Sequence, residues 1–159
     1  MWNLFYILYY LSKPVVLSYD EKYLIDKYSS IIINNYQINQ YGNKKYALER
    51  FCIEGKYNVF KYMLVTLYID DDLNVHNDNE YIFRMACHFG HKNIAQLLYY
   101  TTNPDVYIND NYAFKISCYN NHLDIAEWLS SLDSKYKIIY LDNKFIPYIR
   151  NQQEIYVMN

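Results

Sequence analysis

Glycine and proline are scarce in this chain, with three of each among 159 residues. So little turn chemistry argues against a loop-rich or all-β fold and for helices. An excess of charge of one sign is missing too: 15 Lys and Arg stand against 17 Asp and Glu, a formal net charge of −2. Nothing basic points to nucleic acid or to an anionic membrane. Cysteine occurs only three times, spread along the chain. A secreted disulfide framework would pair its cysteines, so an odd number predicts reduced thiols in a cytosol-like compartment. Also missing are a phosphate-binding Gly-x-x-x-x-Gly-Lys loop, a Gly-x-Ser-x-Gly elbow and a His-Glu-x-x-His zinc motif, so the sequence carries no enzyme signature. What abounds is tyrosine, 22 in all, an amphipathic ring suited to half-buried surfaces and contact faces.

The longest apolar run is at the N-terminus, Met1 to Leu11. A signal peptide has basic residues ahead of its apolar core and small residues at a cleavage site; here the first basic residue, Lys13, follows the run. Eleven helical residues rise only about 16 Å, about half of a bilayer core. The expectation is a buried helix or cap, with membrane attachment through this segment as the alternative.

The chain repeats itself. NEYIFRMACHFGHKNIAQLLYY, from Asn79, aligns with DNYAFKISCYNNHLDIAEWLSS, from Asp110. Tyr81 meets Tyr112, Phe83 meets Phe114, Cys87 meets Cys118, His91 meets His122, Ile94 meets Ile125 and Leu98 meets Leu129, at a constant offset of 31 (118 − 87). KYALERFCIEGKYNVFKYML, from Lys45, joins at an offset of 35 (87 − 52), placing Cys52 on Cys87 and Gly55 on Gly90. All three cysteines therefore hold one repeat position. Each unit reads as two helices: an apolar stripe through Phe83, Ala86 and Cys87, a break at Gly90, then Ile94, Leu97 and Leu98 at i, i+3, i+4 spacing. Asn121 stands where the other units have Gly, as expected of a left-handed helix end that Asn tolerates. Neither helix alone can bury its face, so the units must stack. Phe83, Ala86, Cys87, Ile94, Leu98, Phe114, Cys118, Ile125 and Leu129 are the predicted core.

Ala86 to Leu98 resembles the Ala-Cys-x-x-Gly-His-x-x-Ile-x-x-x-Leu heart of the ankyrin repeat, whose units run about 33 residues. The likeness covers roughly residues 40–131. It departs at the unit start, where the family's Thr-Pro-Leu-His is replaced by Tyr46-Ala-Leu-Glu, Tyr81-Ile-Phe-Arg and Tyr112-Ala-Phe-Lys. This variant is similar to divergent ankyrin proteins of giant DNA viruses of amoebae. The resemblance implies an all-α, short ankyrin-like solenoid of stacked helix pairs with atypical caps. Its parts are an N-terminal cap or degenerate repeat over 1–42, three repeats at about 43–75, 76–106 and 107–131, and a C-terminal cap or truncated repeat over 132–159. It also implies that His91 and His122 bond loop backbone from a Gly-His turn.

The cluster Cys87-His88-x-x-His91 suggests a metal at first sight. A zinc site needs about four converging ligands, whereas Cys87 faces the core with Phe83 and His88 points elsewhere. Repetition of the cysteine also speaks against a Cys–His catalytic dyad. No metal and no cofactor are expected, and Asp70-Asp71-Asp72 is read as a solvated turn. The resemblance puts partners on the face formed by the residue before each unit and the two before each break. These are Lys45, Ile53 and Glu54; Glu80, His88 and Phe89; and Asn111, Tyr119 and Asn120. Ile53, Phe89 and Tyr119, one or two residues before Gly55, Gly90 and Asn121, would make an apolar row of the kind that anchors interfaces. The expected function is non-catalytic protein binding by a monomer in the cytoplasm, the host's if the chain is viral. The alternatives are the membrane-attached protein, a redox or metal protein, and a decayed repeat without a specific partner.

Overall fold

The computed structural model describes residues 16–23, 40–69 and 75–150. The apolar run Met1–Leu11, the Asp70–Asp72 turn and most of the expected N-terminal cap lie outside the described residues. After a short helical segment at 19–23 come three helix pairs: α1 (Gln40–Ile53) with α2 (Tyr57–Ile69), α3 (Asn77–His88) with α4 (Lys92–Thr102), and α5 (Ile108–Tyr119) with α6 (Leu123–Leu132). Two strands follow, β1 (Tyr136–Leu141) and β2 (Lys144–Ile149).

Each first helix ends two residues before the break foreseen for it. Gly55, Gly90 and Asn121 have φ of +67°, +78° and +62°. The next residue's N–H reaches back five residues, from Lys56 to the Phe51 carbonyl, from His91 to Ala86 and from His122 to Ser117, at 2.8–2.9 Å. That bond closes the helix end and turns the chain into the second helix. The pairs stack in order: α3 packs on α1 and on α5, and α4 on α2. Between α4 and α6 the rings of Tyr99 and Trp128 meet edge to face at 5.5 Å. One continuous core runs through the stack, and all nine of the predicted core residues are at most 2% exposed. Val75 and Val106, which share a repeat position ahead of α3 and α5, join that core.

Two features depart from the sequence reading. Residues 136–149 form an antiparallel hairpin, so the protein is mostly helical with a small two-stranded sheet and is not all-α. The cause is local. Tyr136-Lys-Ile-Ile-Tyr-Leu and Lys144-Phe-Ile-Pro-Tyr-Ile are rich in β-branched and aromatic residues. They flank Asp142 and Asn143, both left-handed at φ +50° and +61°, the conformation that a two-residue hairpin turn of matching twist requires. The hairpin packs its β2 on α5 and its β1 on α6, closing the end of the stack.

The second departure is at the unit starts. Asp78, Asn79 and Glu80 all have φ between +55° and +59°, and Asn109, Asp110 and Asn111 between +51° and +60°. Three successive left-handed residues are costly for L-amino acids, least so for Asn and Asp, which explains the Asx-rich composition there. A cation holds each turn. The Arg84 guanidinium donates to the carbonyls of Asn79 and Asp78 at 2.8 and 3.0 Å. Lys115, its equivalent 31 residues on (115 − 84), pairs with the Asp110 carboxylate. Arg84 and Lys115 thus fasten their turns from inside the helix.

Candidate functional site

The nine residues expected on one binding face divide into two groups. The position before each unit start, occupied by Lys45, Glu80 and Asn111, reaches forward along the chain every time: to the start of the next unit, to the loop that leads into the next unit, and to the hairpin. The Lys45 ammonium donates to the Asp78 carboxylate at 2.9 Å, and that bond holds it above its ordinary range. The Glu80 carboxylate accepts the Asp105 N–H at 3.2 Å and lies 2.8 Å from the His76 ring. The Asn111 amide oxygen accepts the Tyr136 hydroxyl at 2.7 Å. Glu80 and Asn111 are 8% and 7% exposed, so these two are buried ties to the following loop and hairpin and not open contact surface. The left-handed turn that precedes the helix is what rotates them inward.

The second group stands at the ends of the first helices. Ile53 and Tyr119 are half-buried, and His88 likewise, while Phe89 and Asn120 are exposed. Burial raises the Tyr119 hydroxyl above its ordinary value. Glu54 pairs with Arg50 at 2.7 Å. His88 meets the Tyr112 hydroxyl at 3.1 Å through Nδ1, and its carbonyl accepts the Asn120 amide at 2.8 Å. Phe89 is the most open ring, 42% exposed, with His88 and His91 at 4.8 and 6.4 Å. Counting from the helix breaks, Ile53, His88 and Tyr119 share one column, and Glu54, Phe89 and Asn120 share the next. The expected row of Ile53, Phe89 and Tyr119 is therefore a zigzag across two columns.

Beside this face the turns are locked to one another by a device only half legible in the sequence. His91 Nε2 bonds the Ile53 carbonyl and His122 Nε2 bonds the His88 carbonyl, both at 2.9 Å. Each imidazole lies against the preceding unit's glycine. A Cβ on Gly55 would sit 2.5 Å from His91 Cε1, and one on Gly90 2.6 Å from His122 Cε1. Beside these turns is an open groove of about 260 Å³ lined by Gly55, Tyr57, Gly90, His91 and Ile94 among others. It falls below the usual range for small-molecule pockets, about 300–1,000 Å³.

The thiols that share a repeat position are free and at most 1% exposed. Burial pushes all three above the ordinary thiol range, Cys118 to about 12. They are thus protonated at neutral pH, the wrong form for a nucleophile or a metal ligand. Cys52 donates its S–H to the Ile82 carbonyl of the next unit at 3.3 Å. Among the described residues no three His, Cys, Asp or Glu side chains converge as a metal site would need, and no helix is long and apolar enough to cross a membrane. Comparison with protein-family models, with curated proteins and with solved structures found no match.

Proposed function

We propose that this chain is a non-catalytic protein-interaction module of the ankyrin-repeat type. The observation that carries the reading is the repetition of one seam. At successive units a histidine lies on the preceding glycine and bonds its neighbour's backbone, with the same 2.9 Å length. A seam repeated in this way builds a scaffold, and scaffolds of stacked helix pairs present their successive first-helix ends as one extended surface. On that surface Ile53, His88, Phe89 and Tyr119 offer apolar and aromatic area without a closed pocket. Such a surface suits a helical or extended protein segment better than a small molecule. Protonated, buried thiols and the lack of a catalytic motif support binding over chemistry.

The test is Phe89→Ser and Tyr119→Ser together. Capture of the protein partner should fall to background, while the helical circular-dichroism signal and the melting temperature stay close to those of the parent chain. Phe89 is open enough for its removal to leave the core intact. Loss of folding along with binding would assign both rings to the core and remove the proposed face.

A further inference from the structure

Among the described residues the hairpin has one open edge and one blunted edge. Arg150 N–H bonds the Lys135 carbonyl at 2.8 Å, and the strand partners run from Tyr136↔Ile149 to Leu141↔Lys144. Antiparallel ladders alternate bonded and non-bonded pairs. Lys137, Ile139 and Leu141 therefore spend their backbone groups inside the hairpin, and those of Ile138 and Tyr140 point outward from β1. On β2 the outward-pointing residues include Pro147 opposite Ile138. Proline has no N–H to offer, a common way of closing a sheet edge. The Tyr136 N–H is already taken by the Asp133 carbonyl, so the open stretch of β1 is Ile138 to Tyr140. Around it Ile139, Tyr140 and Leu141 are 37%, 62% and 51% exposed, three consecutive large hydrophobic residues.

We infer that this edge pairs antiparallel with the β1 edge of a second copy, centred on Ile139, giving a two-fold dimer with a four-stranded sheet. In that register Ile138 and Tyr140 of one copy form bonded pairs with Tyr140 and Ile138 of the other, satisfying all of their outward N–H and C=O groups. Ile139 faces its own copy across the two-fold axis as a close, non-bonded pair. Lys137 lies opposite Leu141 and beside Asp142 of the other copy, so the strand's charged ends are complementary when reversed. Pro147 selects the occupant. Pairing of β1 with the β2 edge of another copy would propagate without limit, and the proline opposes it, leaving the closed, self-complementary contact. Association through one short strand edge is concentration-dependent. Because β1 lies on the α6 side and β2 on the α5 side, the dimer leaves the first-helix face free.

The test uses the full chain. Sedimentation equilibrium should show the mass rising from 19.4 kDa toward twice that with concentration. Tyr140→Pro removes an outward N–H, along with the ring's contacts to Asn143 and Phe145 within the hairpin, and should weaken association by about tenfold or more, the loss of about 1.4 kcal/mol, with helical circular dichroism unchanged. Ile139→Cys should cross-link to a covalent dimer under mild oxidant, since a close non-bonded pair suits a disulfide, whereas Lys137→Cys, which faces Leu141, should not. The cross-linking pair decides the matter even if the proline variant misfolds. A chain that stays monomeric at its highest soluble concentration overturns the inference. So does Ile139→Cys cross-linking no faster than Lys137→Cys, or a folded Tyr140→Pro that associates as before.

Discussion

Gly90 and Asn121 hold the same place in consecutive helix pairs and share a left-handed backbone, at φ +78° and +62°. Their neighbours differ. Over Gly90 lies the His122 ring, which bonds the His88 carbonyl. After the helix pair that contains Asn121 comes the hairpin, which brings no equivalent histidine, and the Asn side chain is exposed. The left-handed conformation alone therefore does not demand glycine here; Asn meets it. What demands glycine is a following unit that lays its histidine on the turn. The two residues together mark where the stack of helix pairs continues and where it stops. Beyond Asn121 another contact takes over: Tyr136 stacks on Phe114 at 4.4 Å and hands its hydroxyl to Asn111. Histidine on glycine joins pair to pair, and tyrosine on phenylalanine joins the last pair to the hairpin.

The harshest way to break this difference is to remove the core that both turns rest on. Leu98, 1% exposed in α4, packs within the middle pair. Leu98→Ala should lower the unfolding free energy by about 2–5 kcal/mol through lost burial plus a cavity, read by urea denaturation. A loss well under 1 kcal/mol would mean that the middle pair is not the common support of its neighbours.

A finer cut separates backbone strain from crowding. Gly90→Asn keeps a residue that accepts φ > 0 but pushes its Cβ into the His122 ring. The expected cost is about 2–4 kcal/mol, from overpacking and a displaced hydrogen bond. In a His122→Ala background the same substitution should cost less than about 1 kcal/mol, because the obstacle is gone. Equal costs in both backgrounds would place the penalty in the backbone, and the reading of Gly90 as a seat for histidine would fall.

At the other seam, Tyr136→Phe keeps the ring on Phe114 and deletes only the hydroxyl. Asn111 is then left with a buried unpaired acceptor, at a cost of about 1–2 kcal/mol. The loss should appear in thermal unfolding of the whole chain if hairpin and helices melt together. A separate early transition would show the hairpin to be an independent unit.

Much of this was legible in the sequence because apolar spacing reports helix faces directly. The repeat alignment fixed which of Phe83, Cys87, Ile94 and Leu98 would be buried, since each recurs with its neighbours 31 residues on. The left-handed end at Asn121 was legible from residue type alone. Glu80 and Asn111 were not. Their inward rotation depends on three successive left-handed residues, and spacing rules assume regular backbone from the first turn onward. The signal was the recurring Asn-Asp or Asp-Asn run ahead of Tyr81 and Tyr112, in which small polar residues that tolerate φ > 0 are concentrated. The hairpin was hidden by the repeat itself: Asp142-Asn143 fell where another unit start was due, although two β-rich runs separated by two such residues also describe a hairpin. Glycine as a seat for the next unit's histidine could not be read from one unit, because the partner lies 32 to 36 residues away (122 − 90 and 91 − 55).

The smallest effect is expected at Asn121 itself. Asn121→Gly removes an exposed side chain from the turn. Glycine adopts φ +62° with no steric penalty, which favours the folded state slightly. It also gives the unfolded chain more freedom to lose, which favours the unfolded state by a few tenths of a kcal/mol to about 1. The two nearly cancel, so the melting free energy should change by less than about 0.5 kcal/mol. This near-silence contrasts with Gly90→Asn, the same exchange in reverse at the equivalent position. If Asn121→Gly instead cost as much as Gly90→Asn, the Asn side chain would be making a bond of its own at the end of the stack. Asn121 would then be a cap in its own right and not a glycine position relieved of its histidine.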